Sequence, residues 1–358
     1  MLKGIDPLLD ADVLQALRAV SARIGADPLL VQGAGGNTSI KQGDVLWIKA
    51  SGTWLKNAAR DGIMVPVALP PLLAAVASGS AEADTPQLFT IAEKNPGGLR
   101  PSIETTVHAL MPQRAVIHVH CVETIAVAVR SDAERLAGER LHGLNWAYVP
   151  YSKPGLVLAR TIAARLKPDT DVLVLGNHGV VVAADTVAEA ESLLRQVSGL
   201  LASPPRPAPA ADLDALRHLA KGSDYRLPAF AEAHAAATDP VSCRIAGAGS
   251  LYPDNVVFLG EGVAVAGPQE NAAQVVSREK AEGRNPALIL FPGKGALIRA
   301  DASAGAEAMA RCLADVTARI DADAHLRYLT AGEIAELLDW DAEKYRQALN
   351  RQGGAARQ

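Results

Sequence analysis

The chain is short of cysteine, of aromatic residues, of positive charge and of long apolar runs. Its three cysteines, Cys121, Cys243 and Cys312, stand far apart and form no CxxC pair. That argues against a disulfide framework or a thiolate zinc site, and it suits a reducing, cytoplasmic setting. Aromatic residues make up 4%, too few for a platform on which bases stack. The net charge of −4 offers no basic field to nucleic acid or to an anionic membrane. No apolar stretch reaches the length that spans a bilayer. The opening MLKGIDPLLDADVLQ is acidic and lacks an apolar centre, so it does not read as a signal peptide.

What is present is a globular composition, 49% hydrophobic and 21% charged over 358 residues, enough for two domains. A proline-rich stretch, Ser203–Ala210, marks the boundary. The expected division is residues 1–202, a linker at 203–210, and a second, smaller α/β domain at 211–358. Helical spacing of Leu9, Val13, Leu14, Leu17, Val20 and Ile24 predicts a helix over 6–25. Val45–Lys49 and Ile63–Val67 read as strands, as do Val256–Leu259 and Val263–Ala266. Leu329–Asn350 reads as helical.

The chemistry gathers in Pro101–Cys121. His118 and His120 stand two apart in an apolar run. On a strand both imidazoles point to one face. Glu104 opens a short helical run, with Ser102 placed to cap it. His108, four residues on, reads as a packed residue beside the site. A third imidazole, His178, sits in a Gly-Asn-His-Gly turn between two apolar strands. Three imidazoles with an open fourth position describe a catalytic zinc site; Mn2+ or Co2+ would also fit. Such an ion would hold a carbonyl oxygen and stabilise an enediolate, with Glu104 exchanging protons as acid and base. Two small-residue turns, one at Gly36-Asn37 and one at Ser51-Gly52, suggest a pocket for an anionic group, with Lys41 and Lys49 nearby. Together these features point to a lyase acting on a small hydroxylated carbonyl compound.

An internal similarity extends the pattern. Leu288–Asp301 overlays Val172–Asp185 without a gap, at a shift of 116 residues. Gly179/Gly295, Asp185/Asp301, Glu191/Glu307 and Arg195/Arg311 coincide. Lys294 stands where the first copy has His178. The second domain therefore reads as a degenerate repeat without its own metal.

Gly-Gly-Asn-Thr-Ser39, Ala-Ser-Gly-Thr53, Pro-Ser-Ile-Glu104, His-Val-His120 and Asn-His-Gly179, in this order, resemble the class II aldolase/adducin family. Its zinc-dependent members are the fuculose- and rhamnulose-phosphate aldolases. The likeness runs over roughly 10–200, and the phrase around Trp47 resembles the long-form aldolase module of rhamnose-utilisation aldolase/dehydrogenase proteins. No GxGxxG-bearing unit follows it here. The resemblance implies a three-layer α/β/α fold with a mostly antiparallel central sheet. It implies zinc on His118, His120 and His178, and Glu104 as catalytic acid/base. It places substrate phosphate near Gly36, Asn37, Ser51, Gly52 and Ser102, offers Tyr151 as proton donor, and implies a homo-oligomer, a tetramer in the family. It also implies a role in carbohydrate metabolism. One departure stands out: Ile103 replaces a second phosphate-binding serine. Aldol cleavage of a ketose or ketose phosphate is the leading expectation. Decarboxylation of a 3-oxo sugar acid, epimerisation and dehydration run through the same enediolate and stay open. A non-enzymatic adducin-like scaffold has no need of the three histidines and the glutamate.

Overall fold

The structure, a computed structural model, describes residues 7–339. The helical reading of Leu329–Asn350 is met by a helix at Ala331–Leu338; its remainder lies outside the described residues. Among those residues no helix is long and apolar enough to cross a membrane. The chain divides into two compact units. One runs to Cys121 and resumes over Glu134–Leu201; the other joins Val122–Ala133 to the chain from Ala202 onward.

The first unit is built on a seven-stranded sheet. Its strands are β1 (Asn37–Gln42), β2 (Val45–Lys49), β3 (Met64–Ala68), β4 (Ala115–Val119), β5 (Trp146–Val149), β6 (Val172–Leu175) and β7 (Gly179–Ala184). Their order is β3-β2-β1-β4-β7-β6-β5, antiparallel throughout except for β5 against β6. Val116, Leu173, Leu175, Val181 and Ala183 share one core with the helix residues Val107, Leu158 and Ile162. Val180 and Val182 alternate with these along β7, point to the opposite face and are equally buried. Helices Pro7–Gly25 and Val187–Leu201 pack on β1, β4 and β7, so both faces of the sheet are covered, as an α/β/α arrangement requires. At the β3 edge, Pro66 has no N–H to offer. Its carbonyl accepts from the Ile91 N–H at 3.0 Å, and Val67 bridges Thr90.

The second unit holds a four-stranded sheet: β8 (Tyr225–Arg226), β9 (Ala264–Val265), β10 (Leu288–Phe291) and β11 (Gly295–Arg299), in the order β8-β11-β10-β9. This is the order and direction of β4-β7-β6-β5. The hairpins match pair by pair: Val172↔Val182 becomes Leu288↔Ile298, and Leu175↔Gly179 becomes Phe291↔Gly295. A helix follows each, Val187–Leu201 and Ala304–Thr317. The likeness stops after β8. Pro228 interrupts the strand, and the Ala296 N–H bonds the His234 ring at 3.1 Å instead of a neighbouring strand.

One expectation needs adjustment. Val256–Leu259 is not a strand; it belongs to the helix Pro253–Leu259. A short apolar β-branched run reads alike in a buried helix and a buried strand, and Pro253 at the first turn with Gly260 at the end decides for helix. The proline-rich stretch is tied down through Arg206. The Arg206 guanidinium donates to Asp239 at 2.9 and 3.1 Å, to Ser242 Oγ at 3.1 Å and to the carbonyls of Thr317 (2.7 Å) and Ile320. Arg206→Ala leaves the buried Asp239 carboxylate its bonds from Val241 and Ser242 but removes its cation, and is expected to destabilise this unit by about 2 kcal/mol. Urea unfolding measures it; an unchanged midpoint would mean the stretch is passive after all.

Candidate metal centre

β4 carries His118 between two neighbours, Asn37 on β1 and Val181 on β7. His120 lies just past the strand end and stays on the same side. His178 arrives from the β6–β7 turn. There Asn177 adopts φ +53°, and the His178 N–H closes on the Leu175 carbonyl at 3.1 Å. Asparagine is among the few residues that take this left-handed conformation readily. Gly179 is required next: a Cβ there would lie 2.4 Å from the Val119 carbonyl oxygen, so only glycine lets the turn close onto β4. Glu104 directly precedes the helix Thr105–Leu110, its N–H bonded to Ser102 Oγ at 3.2 Å.

These four side chains meet. One ligand atom from each of Glu104, His118, His120 and His178 lies within 4.8 Å of the others, and all four residues are buried. The Nε2 atoms of His118 and His120 are 3.2 Å apart. Glu104 Oε2 is 3.3 Å from His118 Nε2, and Oε1 is 3.4 Å from His178 Nε2. His118 Nδ1 faces the Val180 carbonyl at 3.0 Å; a carbonyl only accepts, which assigns the proton to Nδ1 and leaves the Nε2 lone pair aimed into the cluster. Imidazole lone pairs this close, beside a carboxylate and out of water, repel unless a cation or a proton lies among them. A nitrogen-rich donor set with one carboxylate suits zinc and its neighbours in the divalent series.

Burial alone would raise the Glu104 pKa. The pull of His118, His178, His120 and His108 outweighs it and brings the carboxyl down to about 2. Glu104 is therefore an ionised acceptor through the neutral range. His108 lies outside the cluster. Burial first, then the neighbouring His118, lowers it to about 3, so it stays neutral. Its Nδ1 pairs with Ser39 Oγ at 2.8 Å, and its Nε2 is a buried atom without a partner.

Of the residues expected to hold an anion, Asn37 and Ser102 bond Glu104, and several are already engaged. The Asn37 amide donates to Glu104 Oε2 at 2.7 Å. The Ser102 N–H is taken by the Lys49 carbonyl, and the Ser51 N–H by Arg100. Gly36 and Gly52 hold positive φ, +67° and +74°. The two lysines are correspondingly not turned toward an anion: Lys41 donates to the carbonyls of Met111 and Gln113, Lys49 to those of Ala34 and Gly36. Tyr151 follows the end of β5. Its backbone nitrogen lies 3.0 Å from where a Gly176 Cβ would stand, two residues from His178. Sequence reasoning missed the Asn37–Glu104 bond. Its signal is a polar side chain opening a strand that pairs with the histidine strand, and that register is invisible before folding.

Residues 15–201 match the family model described as Class II Aldolase and Adducin N-terminal domain. The chain is 28% identical over 177 residues to the uncharacterised oxidoreductase YuxG of Bacillus subtilis, a match covering 46% of this chain and 25% of that protein. It therefore spans only about a quarter of that relative's length. It is 29% identical over 163 residues to the L-fuculose phosphate aldolase of Methanocaldococcus jannaschii, covering 43% of this chain and 75% of that one. Among solved structures, the N-terminal class II aldolase domain of a conserved Thermoplasma acidophilum protein shares 27% identity over 56% of this chain and 97% of its own, with a TM-score of 0.47.

Proposed function

This chain belongs to the class II aldolase and adducin family, and on that premise we propose that it is a metal-dependent lyase, an aldolase that makes or breaks a C–C bond of a small ketose or ketose phosphate. The observation that carries this reading is the buried convergence of three imidazoles and one carboxylate. His118, His120 and His178 hold the ion, zinc by preference. A divalent cation there supplies Lewis-acid stabilisation of charge developing on a carbonyl oxygen next to the reacting bond.

The chain's own groups do the rest. The Val180 carbonyl fixes the ring of His118. Glu104, ionised and buried, accepts a proton from the substrate and returns it. Asn37 links that carboxylate to the substrate cradle: an anionic group taking the Asn37 amide removes the hydrogen bond that restrains Glu104. Gly36, Asn37, Ser51, Gly52 and Ser102 form the cradle and fix orientation. Tyr151 is the assigned proton donor to the leaving group. Ile103, in place of a second hydroxyl, favours a substrate with a weaker demand for phosphate ligands, a carboxylate or a free sugar. The second unit acts as a metal-free copy.

The purified protein is expected to hold about one zinc per chain. His178→Ala loses it, whereas Lys294→Ala keeps it. Metal analysis decides the site: no zinc in the wild type, or zinc unchanged in His178→Ala, removes the assignment. A product screen over ketose phosphates, free ketoses and 3-oxo acids decides the reaction.

A further inference from the structure

Among the described residues, the one lysine whose side chain is fully buried stands behind the candidate site. Lys49, 1% exposed, ends β2. Its Nζ donates to the Ala34 carbonyl at 2.8 Å and the Gly36 carbonyl at 2.9 Å. Both carbonyls belong to the turn in which Gly33 (φ +57°) and Gly36 (φ +67°) reverse the chain. The same residue accepts the Ser102 N–H through its own carbonyl at 3.0 Å, and the adjoining Ala50 bridges Pro101. Lys49 thus touches both segments that aim Glu104. One is the glycine turn, which delivers Asn37 and its 2.7 Å bond to Glu104 Oε2. The other is the Ser102 arm, whose hydroxyl accepts the Glu104 N–H.

We propose that Lys49 is a positioning residue: its buried ammonium pins the glycine turn against the end of β2 and so fixes, through Asn37, the direction of the Glu104 carboxylate, without touching substrate. The physical requirement is plain. Two carbonyls turned inward by a left-handed turn need donors where water does not reach. An ammonium supplies three donors and no acceptor, and a neutral apolar side chain of the same length supplies none. The sequence suggested a cation lent to an anionic ligand; the hydrogen bonds point the ammonium at the backbone instead. Its influence on the chemistry passes through Asn37; the Ser102 arm is held by the Lys49 main-chain carbonyl. The consequence for turnover rests on the role proposed above for Glu104, whereas the clamp itself does not.

Hydrogen exchange on the full-length protein tests the clamp without a substrate. Lys49→Met is expected to speed exchange by about tenfold or more in peptides covering 31–38, with peptides covering β6 and β7 unchanged and those covering 100–106, whose bond to the residue 49 carbonyl is kept, little affected. Zinc content stays at the wild-type level. Unchanged exchange over 31–38 overturns the proposal. So does uniform acceleration across the first unit, which would mean only a weakened core. If Lys49→Met does not fold, Lys49→Gln answers the same question. Its shorter amide satisfies one carbonyl, and intermediate, local acceleration is expected; the same two contrary outcomes count against the clamp. Absence of zinc from the wild type would remove the metal reading and leave the exchange pattern to stand alone.

Discussion

Glu104→Gln is expected to lower turnover by about a thousandfold while metal content is kept. Glutamine matches glutamate in size and keeps an oxygen for the Asn37 amide, which now reaches Glu104 Oε2 at 2.7 Å. What it loses is the ability to take a proton. The three imidazoles remain, so metal content by elemental analysis is unchanged. Turnover at the wild-type rate would remove Glu104 from the mechanism. The pH profile adds a second check. The cluster histidines, acting against the opposing effect of burial, bring Glu104 to about 2. This group therefore contributes stability that is present above its unfolded value near 4.5 and lost as the pH falls toward 2.

The second large effect is on stability in acid, and it comes from His108. Burial first, then the neighbouring His118, lowers its pKa from 6.5 to about 3. Protonation would place a charged N–H on Nε2, a buried atom with no partner. Between pH 6.5 and 3 the unfolded chain binds this proton and the folded one does not. Stability therefore rises with pH across that window and is fully present above it. A displacement of this size corresponds to roughly 5 kcal/mol lost by the acid end. Urea unfolding of metal-free protein at pH 7, 5.5 and 4.5 reads it. In His108→Gln the dependence flattens, whatever the variant costs at pH 7. Parallel curves for wild type and variant would refute the assignment.

Much of this site could be read from the chain because its main parts are local. An apolar run with histidines two apart places both rings on one face by strand geometry alone, and the structure gives Ala115–Val119 as that strand. Gly-Asn-His-Gly announces a turn, and Asn177 at φ +53° forms it. The matching hairpins of the two units were legible as well, since one uniform shift carries every residue pair of β6–β7 onto β10–β11. Partners distant in sequence were not legible. Asn37 and Glu104 are 67 residues apart and meet only because β1 lies beside β4. Lys49 beside a glycine turn suggests an anion to any reader of charges; only the fold shows two inward carbonyls. Val122–Ala133 follows the histidine strand directly, yet it is counted with the chain beyond Ala202, because compactness follows contacts that no linear boundary expresses.

The closed margin at β3 bears on how copies of this chain can associate. A bare sheet edge is a template: it accepts a strand from another molecule and begins either a continuous intermolecular sheet or a fibril. Here one donor is absent at Pro66, the Pro66 carbonyl is taken by Ile91, and Val67 is bridged by Thr90. Self-association on that side must therefore rest on side chains meeting side chains. Recognition of that kind depends on the fit of particular surfaces.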